Sequence, residues 1–169
     1  TVTVNLQDVN EFSPVFGDGD TATATPNENQ QAVGTYAATD ADGSATQTYS
    51  ILTAAQNAAS VDHDLFSVAG GGVLTFQASP NYEDAGCGSG DDSNTCAVVI
   101  QVTDGANTDT ITVTVNVQDV NEAAPVFTAG ETGTSTPNEG TTAAGTFAAT
   151  DTDGTATQTY SILTAEQNA

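Results

Sequence analysis

The first 58 residues of this chain return, in register and without a gap, 111 positions later. TVTVNLQDVNEFSPVF at 1–16 reappears as TVTVNVQDVNEAAPVF at 112–127, TPNE at 25–28 returns at 136–139, ATDADG at 38–43 returns as ATDTDG at 149–154, and TQTYSILTA at 46–54 returns at 157–165. In this alignment 42 of 58 positions are identical. A repeat of this fidelity restricts the fold to a module of 111 residues that continues head to tail, and it marks recent tandem duplication. The sequence reads as an excerpt of something longer. Residues 1–11 are the last strand and linker of a preceding repeat, 12–122 a complete repeat with its linker, and 123–169 the first half of the next.

Within one period the pattern predicts an all-β module. Ile111, Val113, Val115 and Val117 alternate with Thr110, Thr112, Thr114 and Asn116, which gives a strand over 110–117 with one apolar and one hydroxylated face. Its predicted partner is 97–102, with Val98, Ile100 and Val102 on one side, and Asp104, Gly105, Ala106 and Asn107 supply the turn between them. Further strands are predicted at 32–38, 47–52, 65–68 and 73–76, the last two joined by Gly70, Gly71 and Gly72. Residues 54–59 have room for one helical turn. The abundance of Thr beside Val, Ile and Leu agrees with strands. Phe16, Tyr36, Tyr49, Phe66 and Phe76 fall at strand or core positions.

Charge narrows the function. The chain has no Lys or Arg against 22 Asp and Glu, a formal charge of -22. Nucleic acids and anionic lipids are held through Lys and Arg, so both partner classes are excluded, and metal cations remain as the complementary partner. No stretch is apolar enough to span a membrane, and residues 1–16 carry neither a basic start nor a cleavage site, which places any secretion signal elsewhere.

With PNE at 26–28, ATDADG at 38–43, YSIL at 49–52, LFSVAGGGVLTF at 65–76, NYED at 81–84, VTDG at 102–105 and DVNE at 119–122 followed by Pro125, Val126 and Phe127, the period resembles a cadherin repeat. The likeness is to repeats of the kind found in large bacterial surface and secreted proteins, calcium-dependent adhesins or filament proteins. It implies a tandem Greek-key β-sandwich of immunoglobulin-like architecture. It also implies Ca2+ at the junctions between repeats. Calcium takes six to eight oxygen ligands, which fits carboxylates and carbonyls gathered from several segments.

Carried over position by position, the complete junction lies around 119–125. The resemblance assigns it Glu28, Glu83, Asp119, Asn121 and Glu122, backbone carbonyls of Val120 and Ala123, and the pair Asp151 and Asp153. The preceding junction is represented by Asp8, Asn10, Glu11, Asp40, Asp42 and Asp104. Two departures stand out: Glu11 and Glu122 occupy a position where the family has Asp, and Asn81 stands where an Asp is usual. Each changes ligand reach or charge, so ion number or affinity falls. Binding in the range of roughly 10⁻⁴ to 10⁻³ M, as in extracellular modules, is implied.

Asp-Gly and Asp-x-Asp-Gly are also ordinary turn sequences, and only their recurrence at matching positions in both copies favours ligation. Outside those positions, Asp18, Asp20, Asp62, Asp64, Asp91 and Asp92 read as solvated surface charge in loops. Cys87 and Cys96 bracket GSGDDSNT; a disulfide is the preferred reading, contributing on the order of 2 to 3 kcal/mol, and a metal or redox pair is the alternative. His63, between Asp62 and Asp64, reads as a loop residue.

No enzyme emerges: no nucleophile has a positioned base in the pattern, Gly70–Gly72 lacks the following Lys of a phosphate loop, and cationic stabilisers are missing. The predicted function is a calcium-binding extracellular module, structural or adhesive, whose ions stiffen a rod of neighbouring repeats of the same chain. One alternative is a subunit of a self-assembling filament, in which strands of identical chains complete the partial repeats. Another is a lectin-like ligand-binding module, which needs exposed aromatics beside a calcium site.

Overall fold

The structure, a computed structural model, describes residues 1–42, 46–84, 87, 94–153 and 157–164. Contacts divide the chain into two units, Thr1–Asp119 and Val120–Ala169.

In the first unit the chain forms β1 (Val15–Phe16), β2 (Thr21–Ala24), β3 (Ala32–Thr35), β4 (Ala38–Thr39), β5 (Thr48–Ile51), a 3-10 turn (His63–Leu65), β6 (Phe66–Ala69), β7 (Val73–Phe76), β8 (Thr95–Thr103) and β9 (Thr108–Asn116). They assemble into a β-sandwich. One sheet has the order β2-β9-β8-β5, with β2 parallel to β9 and the other pairs antiparallel; the second has the order β3-β7-β6. A short β1–β4 pair stands beside them.

Alternation in β9 places Ile111, Val113 and Val115 inside at 0% exposure, where they meet Val98, Ile100 and Val102 of β8 and Phe66, Leu74 and Phe76 of the second sheet. Each such buried side chain contributes about 1.5–3 kcal/mol relative to exposure. The edge of β8 that β5 leaves unpaired at 97–99 is covered as well. Leu52 N donates to Val99 O at 2.9 Å, Val99 N to Ser60 Oγ at 3.0 Å, Asp62 N to Ala97 O at 3.1 Å and Ala97 N to Asp62 Oδ2 at 2.7 Å. The side chains of Ser60 and Asp62 thus take acceptor places that a neighbouring strand would fill. Asp62, expected as solvated charge, is 4% exposed. Its neighbour His63 opens the 3-10 turn, with Nδ1 3.1 Å from Ser60 O. Asp18, Asp20 and Asp64 are exposed; Asp91 and Asp92 lie outside the described residues.

The run predicted as one strand over 32–38 is two. Tyr36 interrupts it: its N–H donates to Gly72 O at 2.8 Å, β3 before it pairs with β7, and β4 after it pairs with β1. Gly72 is required at that contact, because a Cβ would lie 1.8 Å from Tyr36 O and its φ is +77°. Residues 54–59 make the single turn expected, with Asn57 N donating to Thr53 O. Cys87 and Cys96 are disulfide-bonded, with Cα atoms 4.7 Å apart.

The second unit contains β10 (Val126–Phe127) and β11 (Ala149–Thr150), and it reproduces the β1–β4 pair of the first unit. Val126 pairs with Thr150 as Val15 pairs with Thr39. Tyr160 Oη accepts from Ala149 N at 3.0 Å as Tyr49 Oη accepts from Ala38 N at 2.9 Å. The Phe127–Tyr160 ring pair at 6.3 Å repeats Phe16–Tyr49 at 6.2 Å. Burial differs. Phe16 is 2% exposed and Phe127 50%, since the residues that cover Phe16, from 66 to 115, have no equivalents within 112–169.

Candidate metal centres

The first constellation lies wholly within the first unit and joins three segments. The strands β8 and β9 deliver the turn 104–107, in which Asp104 Oδ1 accepts from Ala106 N at 2.7 Å and Asn107 N at 2.6 Å. The Asn107 backbone bond is the main cause of a carboxyl pKa below the ordinary 3.8; burial opposes it, and the Ala106 bond and the amides of Asn107 and Asn10 add to the lowering. Asn107 Nδ2 also donates to Phe12 O at 2.9 Å, which fastens the segment 10–12 onto this turn. The amide nitrogen of Asn10 reaches Asp42 Oδ2 at 3.0 Å and Asp104 Oδ2 at 3.1 Å. Phe12 N donates to Asp42 Oδ2 at 2.8 Å, and Asp42 N to Asp40 Oδ1 at 2.9 Å. Asp40 Oδ2 is buried and has no hydrogen-bond partner among the described residues. Asn10, Asp40, Asp42 and Asp104 are therefore brought together, while Asp8 and Glu11 are exposed on the chain leading in.

Glu28 and Glu83 form a second constellation in the first unit, and Asp119 follows the bridge residue Gln118 that fixes the backbone of Glu28. Glu28 follows β2 and is 2% exposed. Its backbone is fixed by the parallel bridge Asn27–Gln118: Glu28 N donates to Gln118 O at 3.0 Å and Gln118 N to Pro26 O at 2.9 Å. Its Oε2 accepts from Tyr82 N at 2.7 Å. A carboxylate oxygen of Glu28 lies within 4.8 Å of one of Glu83. Asn81 accepts from Glu83 N through Oδ1 at 3.2 Å and so shapes the turn that carries Glu83. Asp119 is half-buried directly after β9 and Gln118.

In the second unit, Ala123 N donates to Asp153 Oδ2 at 2.6 Å and Asp153 N to Asp151 Oδ1 at 3.1 Å. These are the equivalents of the Phe12–Asp42 and Asp42–Asp40 bonds. Asp153 is 4% exposed, Val120 is half-buried, and Asn121 and Glu122 are exposed.

These clusters gather several carboxylates, and the sequence holds no Lys or Arg to neutralise them. Hard divalent cations prefer such a set. The orphaned Asp40 Oδ2 fits it, since an ion coordinated there would replace the missing hydrogen bond. The role of Asn107 was not visible in the sequence, because its contact with Phe12 spans 95 positions and no local spacing encodes it.

Among solved structures the chain is similar to human protocadherin-24 EC1-2, at 21% identity and TM-score 0.54 over 83% of this chain and 62% of that one. It is similar to the protocadherin gamma B4 extracellular domain at 24% identity and TM-score 0.53, covering 72% of this chain and 18% of that one. The human desmocollin-1 ectodomain gives 24% identity and TM-score 0.53, covering 72% and 23%. This chain spans less than two thirds of the length of each. These likenesses establish a cadherin-like fold. No protein-family model and no curated protein matches the sequence.

Proposed function

We propose that the chain is a stretch of a calcium-binding extracellular protein, structural or adhesive, in which ions at the linkers stiffen a rod of tandem modules. The observation that carries this reading is Asp40 Oδ2, a buried carboxylate oxygen without a hydrogen-bond partner among the described residues, set beside Asp42 and Asp104 in a chain devoid of Lys and Arg. A group so placed is costly unless a cation completes it. The likeness to extracellular cadherin structures supports the same reading, as does the recurrence of the Asp42–Phe12 bond at Asp153–Ala123.

In this reading 1–11, 12–122 and 123–169 are the end of one module, a complete module and the start of another. Asp8, Asn10, Glu11, Asp40, Asp42 and Asp104 serve one junction. Glu28, Glu83, Asp119, Asn121, Glu122, Asp151 and Asp153, with the carbonyls of Val120 and Ala123, serve the other. Bound calcium supplies positive charge that joins the carboxylates of consecutive modules. The residues do the rest: Asn107 and Asp104 hold the linker end, Asp42 fixes Phe12 N, and Glu28 braces the loop of Glu83. Without metal, the like charges assigned to each junction repel over a Debye length of about 8 Å at physiological salt.

The test is small-angle scattering and calorimetry of the whole chain. Millimolar calcium is expected to raise Tm and increase the maximum dimension, and EDTA to reverse both. No change in either quantity removes the reading. Concentration-dependent fibres in negative stain point instead to exchange of strands between copies.

A further inference from the structure

Three carboxylate residues assigned to the second junction, Glu28, Glu83 and Asp119, lie in the first unit, and the chain fixes them in different ways. Glu28 and Asp119 stand on hydrogen-bonded backbone, locked by the Asn27–Gln118 bridge. Glu83 stands on the segment 77–84, which contains no strand. Upstream of Glu83 the ties include Asn29 N to Pro80 O at 2.9 Å and Tyr82 N to Glu28 Oε2 at 2.7 Å. Downstream, four residues on, Cys87 is bonded to Cys96. Cys96 is fully buried on β8 opposite Val115 of β9. Close by, Asn94 O accepts from Val117 N at 2.9 Å and Asn94 Nδ2 donates to Tyr82 O at 2.9 Å. β9 ends at Asn116, and the chain continues through Val117 and Gln118 to Asp119. The bridge thus joins the Glu83 loop covalently to the strand pair that delivers Asp119.

We propose that the Cys87–Cys96 disulfide is the positioning element that holds the Glu83 carboxylate beside Glu28 for cation binding, an inference that rests on the calcium reading above. A ligand on a free loop must be ordered when the ion arrives, and that ordering cost is subtracted from affinity. A cross-link confines the loop beforehand, so its contribution appears as tighter binding and not only as stability.

The test is calorimetric calcium titration of the whole chain, oxidised and after reduction by a trialkylphosphine. The phosphine supplies two electrons, water supplies two protons and the oxygen, and the products are two thiols and the phosphine oxide. Circular dichroism in EDTA comes first, and titrations run below the melting transition of the reduced chain. Reduction is expected to weaken one class of sites about tenfold, the scale of losing a group that orients a metal ligand. In Glu83→Gln, reduction should cause no further loss. The double variant C87A/C96V, which fills the buried place of Cys96, should bind like the reduced parent.

Equal affinity of oxidised and reduced parent overturns the proposal. So does a tenfold loss that persists in E83Q, because general loosening does not act through Glu83. An oxidised chain that binds no calcium at all removes the calcium reading itself, and with it this inference, which separates the two failures.

Discussion

Tyr82 donates its backbone N–H to Glu28 Oε2 at 2.7 Å, so the most deeply buried carboxylate of the candidate ligand set is also a structural acceptor. Charge and hydrogen bonding are separable here. Glu28→Gln keeps an oxygen for Tyr82 and is expected to retain Tm in EDTA while losing most of the calcium-induced rise. Glu28→Ala leaves the Tyr82 N–H unpaired and should cost about 1–3 kcal/mol even without calcium. Thermal melts of both variants with calcium and with EDTA make the comparison; equal behaviour of Gln and Ala in EDTA would refute the structural half of the claim.

Asp62 offers the contrasting case of a carboxylate that serves the fold alone. Its Oδ2 accepts from Ala97 N at 2.7 Å at the edge of β8 beyond its pairing with β5. Asp62→Ala should destabilise by about 1–3 kcal/mol, by the same amount with and without calcium. Urea denaturation in the two conditions measures this, and a loss confined to the calcium form would place Asp62 among the ligands instead.

How far these roles were legible in the sequence follows from the range of the interactions. Strands β8 and β9 were readable because their alternation is local and their turn is marked by Asp104 and Gly105. The acidic segments themselves were readable because the 111-residue repeat shows Asp40 and Asp42 returning as Asp151 and Asp153. Burial of Asp62 was hidden, since a charge between polar neighbours looks solvated until β8 is found to need acceptors on that side. The break at Tyr36 was equally hidden, because it is made by a carbonyl 36 positions away at Gly72.

That contact yields a graded test. Gly71 and Gly72 both have positive φ, +78° and +77°, yet a Cβ on Gly71 meets nothing within 4 Å while one on Gly72 falls 1.8 Å from Tyr36 O. Gly71→Ala should cost about 1–2 kcal/mol from backbone strain alone. Gly72→Ala should cost more than about 2 kcal/mol, because Tyr36 must also move. Chemical denaturation ranks the two, and similar losses would show that the close approach carries no energy.

Alkaline stability should depend on Tyr36. Burial raises its phenol above the ordinary 10.0, and the negative charge of Asp18 raises it further. The folded state therefore favours the neutral phenol. Its contribution is complete below pH 10 and is lost as pH climbs from there through the folded value. Tyr36→Phe, which places at 36 the residue found at the equivalent position 147, should keep a larger fraction of its pH 8 stability at pH 11 than the parent does. Denaturation curves at the two pH values decide it; an identical fractional loss would exclude Tyr36 as the source.

The parallel alignment of β2 with β9 governs how this module responds to tension. The chain enters at one end of that pair and leaves at the other, so a pull applied between the two ends of the module slides the two strands past each other. The Thr21–Thr112 to Ala24–Val115 ladder and the flanking bonds at Asp20, Pro26 and Gln118 are then loaded together and must fail together, whereas a hairpin pulled from its open end unzips one bond at a time. Mechanical strength in this module is set by strand direction.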